Sequence, residues 1–278
     1  MTEILPEAVN RSMRKLCESL EIRIPDTVES VYVYGSTALH AFIEGSSDID
    51  FLVFVNRTLA PSDIRLIMEA HEDVEPALSG MDIMGSYIQR EDAGKSVGAI
   101  SPVPTYFDKK MQSDGDGDLN PVTWWILQRH GICVYGQPMS FNYELSSDEL
   151  TQYVIENMNS YWAGWIDRLE QKLNSPGMTE QAVSMERNDF AVEWCTLGML
   201  RQFYTIREHD VTSKIGAGEY GLTRLPERWH GLIREAIAIK RGEHPREYAS
   251  QLKRMHDLVE LLRLIHTESN NVYKTKIS

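Results

Sequence analysis

The pattern of apolar and polar positions divides the chain into two parts of different character. In the first part, apolar runs of strand length alternate with stretches whose apolar residues recur at helical spacing. The elements predicted there are helices over 6–20, 61–71 and 121–131, strands over 30–35, 48–55, 81–88 and 132–135, and a loop over 93–120. Such alternation is typical of a small mixed α/β (α+β) domain.

Beyond Gln137-Pro138, apolar residues follow helical spacing alone. The predicted helices are a long one over 147–165, a second over 188–204, and two more around 226–241 and 245–268. This pattern predicts an all-α helical bundle with its own core. We place the boundary near residue 145, which gives expected domains of 1–145 and 146–278.

Two aspartates follow a Gly-Ser turn at a spacing that suits a metal site. Gly35-Ser36 ends a buried strand and leads into a helix-compatible run, whose backbone N–H groups favour a phosphate. Alternation along the next strand places Asp48 and Asp50 on one face, about 7 Å apart. Because two like charges repel at this distance, a divalent cation with oxygen ligands, such as Mg²⁺, is expected between them. The sequence therefore predicts a magnesium-dependent nucleotidyl transfer site, and two metal ions about 4 Å apart would stabilise both the attacking and the leaving oxygen.

These residues carry a resemblance to a known superfamily. Val33-Tyr34-Gly35-Ser36, an eleven-residue gap and Asp48-Ile49-Asp50-Phe51-Leu52-Val53 resemble the signature of the DNA polymerase β-like nucleotidyltransferases. More specifically, the chain is similar to the aminoglycoside adenylyltransferases that modify streptomycin and spectinomycin, with further similarity over 193–197, 201, 204–205, 212–220 and 225–226. In that family a mixed α/β domain precedes an all-helical one, and the antibiotic binds between them with ATP and magnesium. The resemblance implies transfer of AMP from ATP to a hydroxyl of an aminoglycoside or aminocyclitol, and so antibiotic resistance.

The resemblance also implies roles for the carboxylates. Asp48 and Asp50 would hold Mg²⁺, and a third carboxylate is expected on the neighbouring strand, where Asp82 is the best candidate. The family usually has Glu at this position, as the base that accepts the proton of the attacking hydroxyl. The shorter Asp82 leaves open whether it acts as the base directly, through water, or as a metal ligand. Glu75 is the alternative to Asp82.

The nucleotide is expected to contact both domains. Gly35 and Ser36 would grip the terminal phosphates of ATP. In the resembling family the residue that matches Lys214 reaches the ATP phosphates, a task that suits an ammonium on a flexible stem. Ser213 to Gly218 is predicted to be a small flexible stretch. Tyr220 would line the same cleft.

The acceptor is expected to bind to acidic side chains of the second part. At helical spacing, Glu186, Asp189 and Glu193 share one face while Trp194 turns partly away. That face would bind amino or guanidino groups through charge-assisted hydrogen bonds, or would simply be an exposed acidic surface. The acidic run over 114–118 is expected to be a solvated loop, or a rim that attracts a cationic substrate.

Charge and composition narrow the range of partners. The formal net charge of −13 disfavours a nucleic-acid partner and suits a small cationic acceptor. The absence of a long uncharged apolar run and of a leader pattern favours a cytoplasmic protein without a membrane partner, and we expect a monomer. Cys17, Cys133 and Cys195 are expected to be reduced packing residues.

Two other classes of function stay open. A polymerase β-like transferase could act on another acceptor, such as a lincosamide, a protein side chain or an RNA end, although the acidic charge weighs against RNA. A non-catalytic nucleotide-binding or antitoxin-like module could use the same fold without turnover. The presence of both Asp48 and Asp50 argues against that alternative. The sequence leaves open which antibiotic and which hydroxyl are used.

Overall fold

The computed structural model describes residues 5–100, 102–115, 117–180, 184–243 and 247–277. The chain divides into two compact units, Met1–Leu145 and Ser146–Ser278. Within the described ranges, no helix combines the length and the apolar character needed to cross a membrane.

The first unit contains four helices and six strands among its described residues. In chain order they are α1 Glu7–Arg23, β1 Val28–Val33, α2 Gly35–Ala38, β2 Ile49–Val55, α3 Pro61–Leu78, β3 Ile83–Gln89, β4 Thr105–Phe107, β5 Lys110–Gln112, α4 Pro121–His130 and β6 Ile132–Gly136. The strands form one sheet in the order β5-β4-β3-β2-β1-β6. Only β2 and β3 are parallel; every other pair is antiparallel. The predicted mixed α/β domain is therefore confirmed.

The prediction of a loop over 93–120 is wrong in part, because this stretch contains β4 and β5. Each strand has only three residues. A strand of that length shows too little alternation to be distinguished from a loop in the sequence. The two strands extend the sheet beyond β3.

Strand β2 is covered on both faces and carries the first part of the site. Its alternate residues Ile49, Phe51, Val53 and Val55 belong to the apolar core that also contains residues of α1 and α3. Leu52 and Phe54 are equally buried on the other face, where Phe54 contacts the rings of Tyr32 and Phe141. The predicted alternation is thus confirmed over 49–55. Asp50 lies on the second face and is half-buried at the start of the strand.

The second unit is helical, as predicted. Helix α5, Ser147–Asn157, continues through one π-helical turn at Met158–Trp162 into α6, Ala163–Leu173; α7 Met185–Glu208, α8 Lys214–Arg224, α9 His230–Lys240 and α10 Gln251–Ile277 follow. Helix α7 packs against α8, α9 and α10. A buried ion-pair network joins three of these helices: Arg254 donates to Glu235 (2.8 Å) and to Asp189 (2.5 Å).

Helix α8 corrects the prediction of a flexible stretch at 213–218. The Ser213 hydroxyl accepts a hydrogen bond from the Gly216 N–H (3.0 Å) and caps the helix. A Cβ placed on Gly218 would lie 2.6 Å from Ile237 Cγ1, so this glycine lets α8 pack closely against α9. Glycine is a poor helix former in isolation, and for that reason the sequence pattern resembles a loop. Lys214 therefore begins a packed helix.

Candidate active site

The Gly-Ser turn lies directly against the carboxylate of Asp50. Gly35 adopts a left-handed backbone conformation (φ +58°), and the preceding Tyr34 N–H donates to the carbonyl oxygen of Asp50 (3.0 Å). A Cβ on Gly35 would lie 1.8 Å from Asp50 Oδ2, far inside van der Waals contact. Both the backbone conformation and the space therefore require glycine here. The turn and the second aspartate of the sequence motif form one compact unit.

The next residues of the turn carry buried hydroxyl groups without a partner. Ser36 Oγ and Thr37 Oγ1 are both shielded from solvent and make no hydrogen bond within the part of the chain that the structure describes. Buried hydroxyl groups are normally hydrogen-bonded, because an unsatisfied one costs about 1–3 kcal/mol. An acceptor-rich ligand such as a phosphate would satisfy such a donor. This observation fits the predicted role of Ser36 in holding phosphate.

The three predicted carboxylates lie at the start of the two parallel strands. Ile49 is the neighbour of Ile83, and the Ile49 N–H donates to the Asp82 carbonyl oxygen (2.9 Å). Asp48 and Asp82 therefore precede their strands at equivalent positions, and both are exposed. Because side chains in register on parallel strands share a face, Asp82 lies on the same face as Asp48 and Asp50.

These carboxylates do not form a ready-made metal cage. Across the described residues, no group of three His, Cys, Asp or Glu side chains is arranged to hold a metal ion. Carboxylate oxygens are nevertheless suitable ligands for Mg²⁺, which takes only one or two of them and completes its shell with water and substrate phosphates. The residues present therefore fit a magnesium ion that binds together with a nucleotide.

A fourth carboxylate, Asp118, lies close to the same site. The pKa of the fully buried Tyr34 hydroxyl is raised well above its usual range, chiefly by burial and then by the negative charges of Asp50, Asp118 and Asp48. The three carboxylates are therefore close enough to the Tyr34 hydroxyl to act on its charge. Asp118 belongs to the acidic run that the sequence indicated only as a solvated loop or a rim; Asp116 of that run lies outside the described residues.

Hydrogen bonds on both sides of Asp118 fix its position. The Ser86 hydroxyl of β3 donates to the carbonyl oxygen of Gly117 (3.3 Å), and a Cβ on Gly117 would lie 2.5 Å from Ser86 Oγ. Ser86 lies on the same strand face as Asp82, four residues further along. The Asn120 side chain, which caps α4, also donates to Asp118 Oδ1 (2.8 Å). The glycine before Asp118 and the cap after it are the sequence signals that could have identified this residue.

In the helical unit, Lys214 contacts two of the predicted acceptor residues. Its ammonium group lies 2.9 Å from Glu193 Oε1 and 4.6 Å from the ring centroid of Trp194. Both side chains of the ion pair are largely buried, with 20% of Lys214 and 13% of Glu193 exposed. The Trp194 indole N–H donates to the Tyr161 hydroxyl (3.2 Å). The structure thus brings Glu193, Trp194 and Lys214 into one cluster.

The other predicted residues have different surroundings. Asp189 pairs with the buried Arg254 and so contributes to the bundle, whereas Glu186 is exposed in the first turn of α7. The Tyr220 hydroxyl donates to Glu208, and its ring packs edge-on against Tyr204. Of the residues predicted to bind the acceptor, only Glu193 and Trp194 lie together beside a cation.

The alternative candidate Glu75 has its partners on β4 and in the turn that follows β4. It accepts hydrogen bonds from the Tyr106 hydroxyl (3.1 Å) and from the Lys109 ammonium (2.9 Å). These contacts give Glu75 a role in packing β4 and the following turn against α3. The geometry therefore favours Asp82 over Glu75 as the third carboxylate of the sequence motif.

Comparison with known proteins assigns the two units to known domain families. Residues 13–91, which include Gly35, Asp48, Asp50 and Asp82, match the nucleotidyltransferase domain. Residues 153–264, which include Glu193 and Lys214, match the C-terminal domain of aminoglycoside adenylyltransferase. No curated protein matches the sequence.

A solved structure shares the fold over almost the whole length of both chains. The spectinomycin adenyltransferase AAD(9) from Enterococcus faecialis, crystallised with ATP and spectinomycin, superposes with a TM-score of 0.60 at 15% sequence identity. The match covers 91% of this chain and 98% of the other. At this level of identity the likeness establishes the fold, and the two domain matches supply the family. The chain is therefore a nucleotidyltransferase enzyme that belongs to the aminoglycoside adenylyltransferase family.

Proposed function

We propose that this enzyme transfers AMP from ATP, in the presence of magnesium, to a hydroxyl group of an aminocyclitol or aminoglycoside antibiotic of the spectinomycin or streptomycin class. The single observation that carries the proposal is the packing of Gly35 against Asp50, next to the unpartnered Ser36 hydroxyl. This arrangement combines a hydrogen-bond donor for phosphate with a carboxylate for the cation that accompanies phosphate. The similar adenyltransferase that was solved with ATP and spectinomycin supports both substrates.

The first unit would bind and orient the nucleotide. The Ser36 hydroxyl would donate to a terminal phosphate oxygen, while Asp48 and Asp50 would hold Mg²⁺. When bound, the metal would neutralise the negative charges of the phosphates and the carboxylates, which otherwise repel each other. Asp118 adds a further negative charge near the same face and favours the binding of cations there. Reactions of this kind depend mainly on positioning and charge compensation.

Asp82 would accept the proton of the attacking hydroxyl. It is exposed, shares the strand face of Asp50, and is not part of a three-carboxylate cluster among the described side chains. Its place at the start of the neighbouring strand β3, where the resembling family usually has the glutamate that serves as base, favours a role as general base. An aspartate is one methylene shorter than the glutamate usual in the resembling family, so we expect Asp82→Glu to retain activity and Asp82→Asn to lose it.

Lys214 would bind the ATP phosphates, as the resemblance implies. In the structure its ammonium group already pairs with Glu193. We infer that the ammonium group leaves Glu193 when it binds phosphate, and the cost of leaving Glu193 unpaired then favours the arrival of another cation. This exchange would couple the binding of ATP to the binding of a cationic acceptor.

The experiment that tests the proposal combines the purified protein with ATP, Mg²⁺ and a panel of spectinomycin, streptomycin and lincomycin. Mass spectrometry should detect the gain of one AMP on an aminocyclitol or aminoglycoside, together with release of pyrophosphate. Asp50→Asn serves as the folded, inactive control. Modification of lincomycin alone would assign the enzyme to another acceptor class, and modification of none of the three would contradict the proposed substrate class.

A further inference from the structure

An aromatic patch borders the ion pair of Lys214 and Glu193 on the helical unit. We define the aromatic patch as Tyr161, Trp165, Phe190 and Trp194. The rings of Phe190 and Trp194 are nearly parallel, with centroids 5.9 Å apart and planes inclined by 13°, and Trp165 packs against Phe190 at 6.3 Å. The hydrogen bond from Trp194 to Tyr161 completes the patch. All four residues lie within the matched aminoglycoside adenylyltransferase C-terminal domain.

Two rings of the patch are exposed, whereas Trp165 and Trp194 are half-buried. Phe190 is 53% exposed and Tyr161 is 43% exposed, whereas the adjacent Trp162 is 5% exposed and belongs to the interior. Exposed aromatic rings gain little from the hydrophobic effect, and contiguous exposed apolar surface commonly marks a binding site. Packing of the bundle therefore accounts for Trp162 but not for Phe190 or Tyr161.

The contacts of Lys214 show what this surface can bind. An ammonium group lies over the face of Trp194 and is held at the same time by the carboxylate of Glu193. The site therefore combines a ring face with a negative charge, which are the two elements that bind organic cations. Lys214 occupies the position that a ligand cation would take, and it is the residue that the proposed function draws towards ATP.

We propose that the aromatic patch and Glu193 form the part of the acceptor site that binds an N-alkylated ammonium group together with the adjoining ring of the acceptor. This inference rests on the proposed function. The cationic nitrogen lies beside Glu193 and over Trp194, in the place of the Lys214 ammonium. The alkyl substituent and the apolar ring face pack on Phe190 and Tyr161. An alkylated ammonium is preferred to a primary one, because it loses less hydration on contact with aromatic rings.

Charge and size select this occupant over others. Glu193 requires a positive partner once Lys214 has left, which excludes a neutral or an acidic ligand. The nearly parallel rings of Phe190 and Trp194 offer an apolar surface next to that charge, which suits a compact ring system carrying a substituted amine. A second copy of this chain would instead cover the patch with protein, and the experiment distinguishes that case.

The experiment measures KM for spectinomycin, which carries methylamino groups, and for its N-desmethyl analogue. Wild-type enzyme is expected to prefer spectinomycin. Phe190→Ala should raise the KM for spectinomycin roughly tenfold, because it removes the ring on which the alkyl substituent packs, and it should reduce the preference over the analogue while KM for ATP is unchanged. Phe107→Ala is the matched control, since Phe107 is 50% exposed but lies on β4 of the other unit; it should leave every constant unchanged.

A second variant keeps the test decisive if Phe190→Ala perturbs folding. Phe190→Leu retains an apolar side chain without the aromatic face, so it should lose the preference for the methylated acceptor while keeping the melting temperature of wild type. Equal KM values for both acceptors in wild type, or a wild-type preference in both Phe190 variants, would overturn the inference.

Two further outcomes assign a failure to its cause. A change from dimer to monomer in Phe190→Ala, seen by light scattering, would identify the patch as a contact between copies and overturn the inference. If wild type modifies no antibiotic at all, the proposed function itself fails. If it modifies spectinomycin but the Phe190 variants bind the antibiotic normally, only the acceptor inference fails.

Discussion

Replacement of Gly35 by alanine tests the geometry on which the active site depends. The added methyl group would lie 1.8 Å from Asp50 Oδ2 and 2.7 Å from Asp50 Cγ. A carbon and an oxygen without a bond between them require about 3.3 Å or more, so one of the two groups must move by about 1.5 Å. Because Gly35 is the first residue of α2 and follows β1 by one residue, the carboxylate of Asp50 is the group that we expect to move.

The size of the effect follows from two separate costs. A non-glycine residue in the left-handed region costs about 1 kcal/mol of stability, and relief of the overlap adds roughly 1–3 kcal/mol. The larger consequence is for catalysis, since a displacement of about 1 Å at a positioned group can reduce a rate by about 10²-fold. We therefore expect Gly35→Ala to fold, to melt several degrees lower, and to lose about 10²-fold in kcat.

The assay follows pyrophosphate release with saturating ATP and acceptor, and a parallel thermal melt reports stability. Gly177→Ala is the matched control for backbone strain, because Gly177 also has positive φ (+88°) but no atom within 4 Å of an added Cβ. It should lose about 1 kcal/mol of stability with normal turnover. If Gly35→Ala keeps turnover within about threefold of wild type, or loses no more turnover than Gly177→Ala does, then the contact between Gly35 and Asp50 does not position the catalytic carboxylate.

Three further predictions concern the metal, the coupling of the two substrates and the response to pH. Asp50→Asn should lower turnover by about 10²-fold or more, and higher magnesium concentrations should not restore it, because the variant lacks a formal charge at the metal site; normal adenylation by the folded variant would remove Asp50 from the mechanism. Lys214→Ala should bind the acceptor with nearly equal affinity with and without magnesium-ATP, whereas calorimetry on wild type should show that the nucleotide tightens acceptor binding. The acceptor should tighten nucleotide binding by the same factor. Equal coupling in both proteins would refute the role of Lys214. Burial lowers the pKa of His71 to about 3, so the folded protein keeps this ring neutral while the unfolded chain protonates it below about pH 6.5. The free energy of unfolding should therefore fall by up to about 1.4 kcal/mol per pH unit as pH drops from about 6.5 towards 3, and urea titrations of His71→Gln should show a shallower slope over that range; identical slopes would mean that His71 does not set the acid response.

Those parts of the fold that depend on local patterns could be predicted from the sequence. The alternation along β2 predicted which side chains share a face, because a strand has a period of two. Gly35 could also be predicted from a local pattern, because the motif places a chain reversal shortly before the aspartates. In the structure, Gly35 has both the positive φ and the close approach that only glycine permits.

Contacts between distant residues could not be predicted in this way. Asp189 was expected on an acidic surface for substrate, yet it pairs with Arg254, which lies 65 residues away along the chain. Helix α8 was missed because its glycines lower the local propensity, while their benefit comes from close packing against α7 and α9. The place of Asp118 at the site was missed because it depends on the contact of Gly117 with Ser86 of β3, 31 residues away along the chain.

The most direct test of the central claim follows the fate of the individual phosphates of ATP. Wild-type enzyme is incubated with magnesium, spectinomycin or streptomycin, and ATP that carries a radiolabel on either the α- or the γ-phosphate. The account predicts that the α-label becomes attached to the antibiotic, that the γ-label is released as pyrophosphate, and that Asp50→Asn transfers neither at an appreciable rate. Transfer of the γ-label to the antibiotic, or no label on either antibiotic while wild type binds magnesium-ATP, would contradict adenylyl transfer as the reaction of this enzyme.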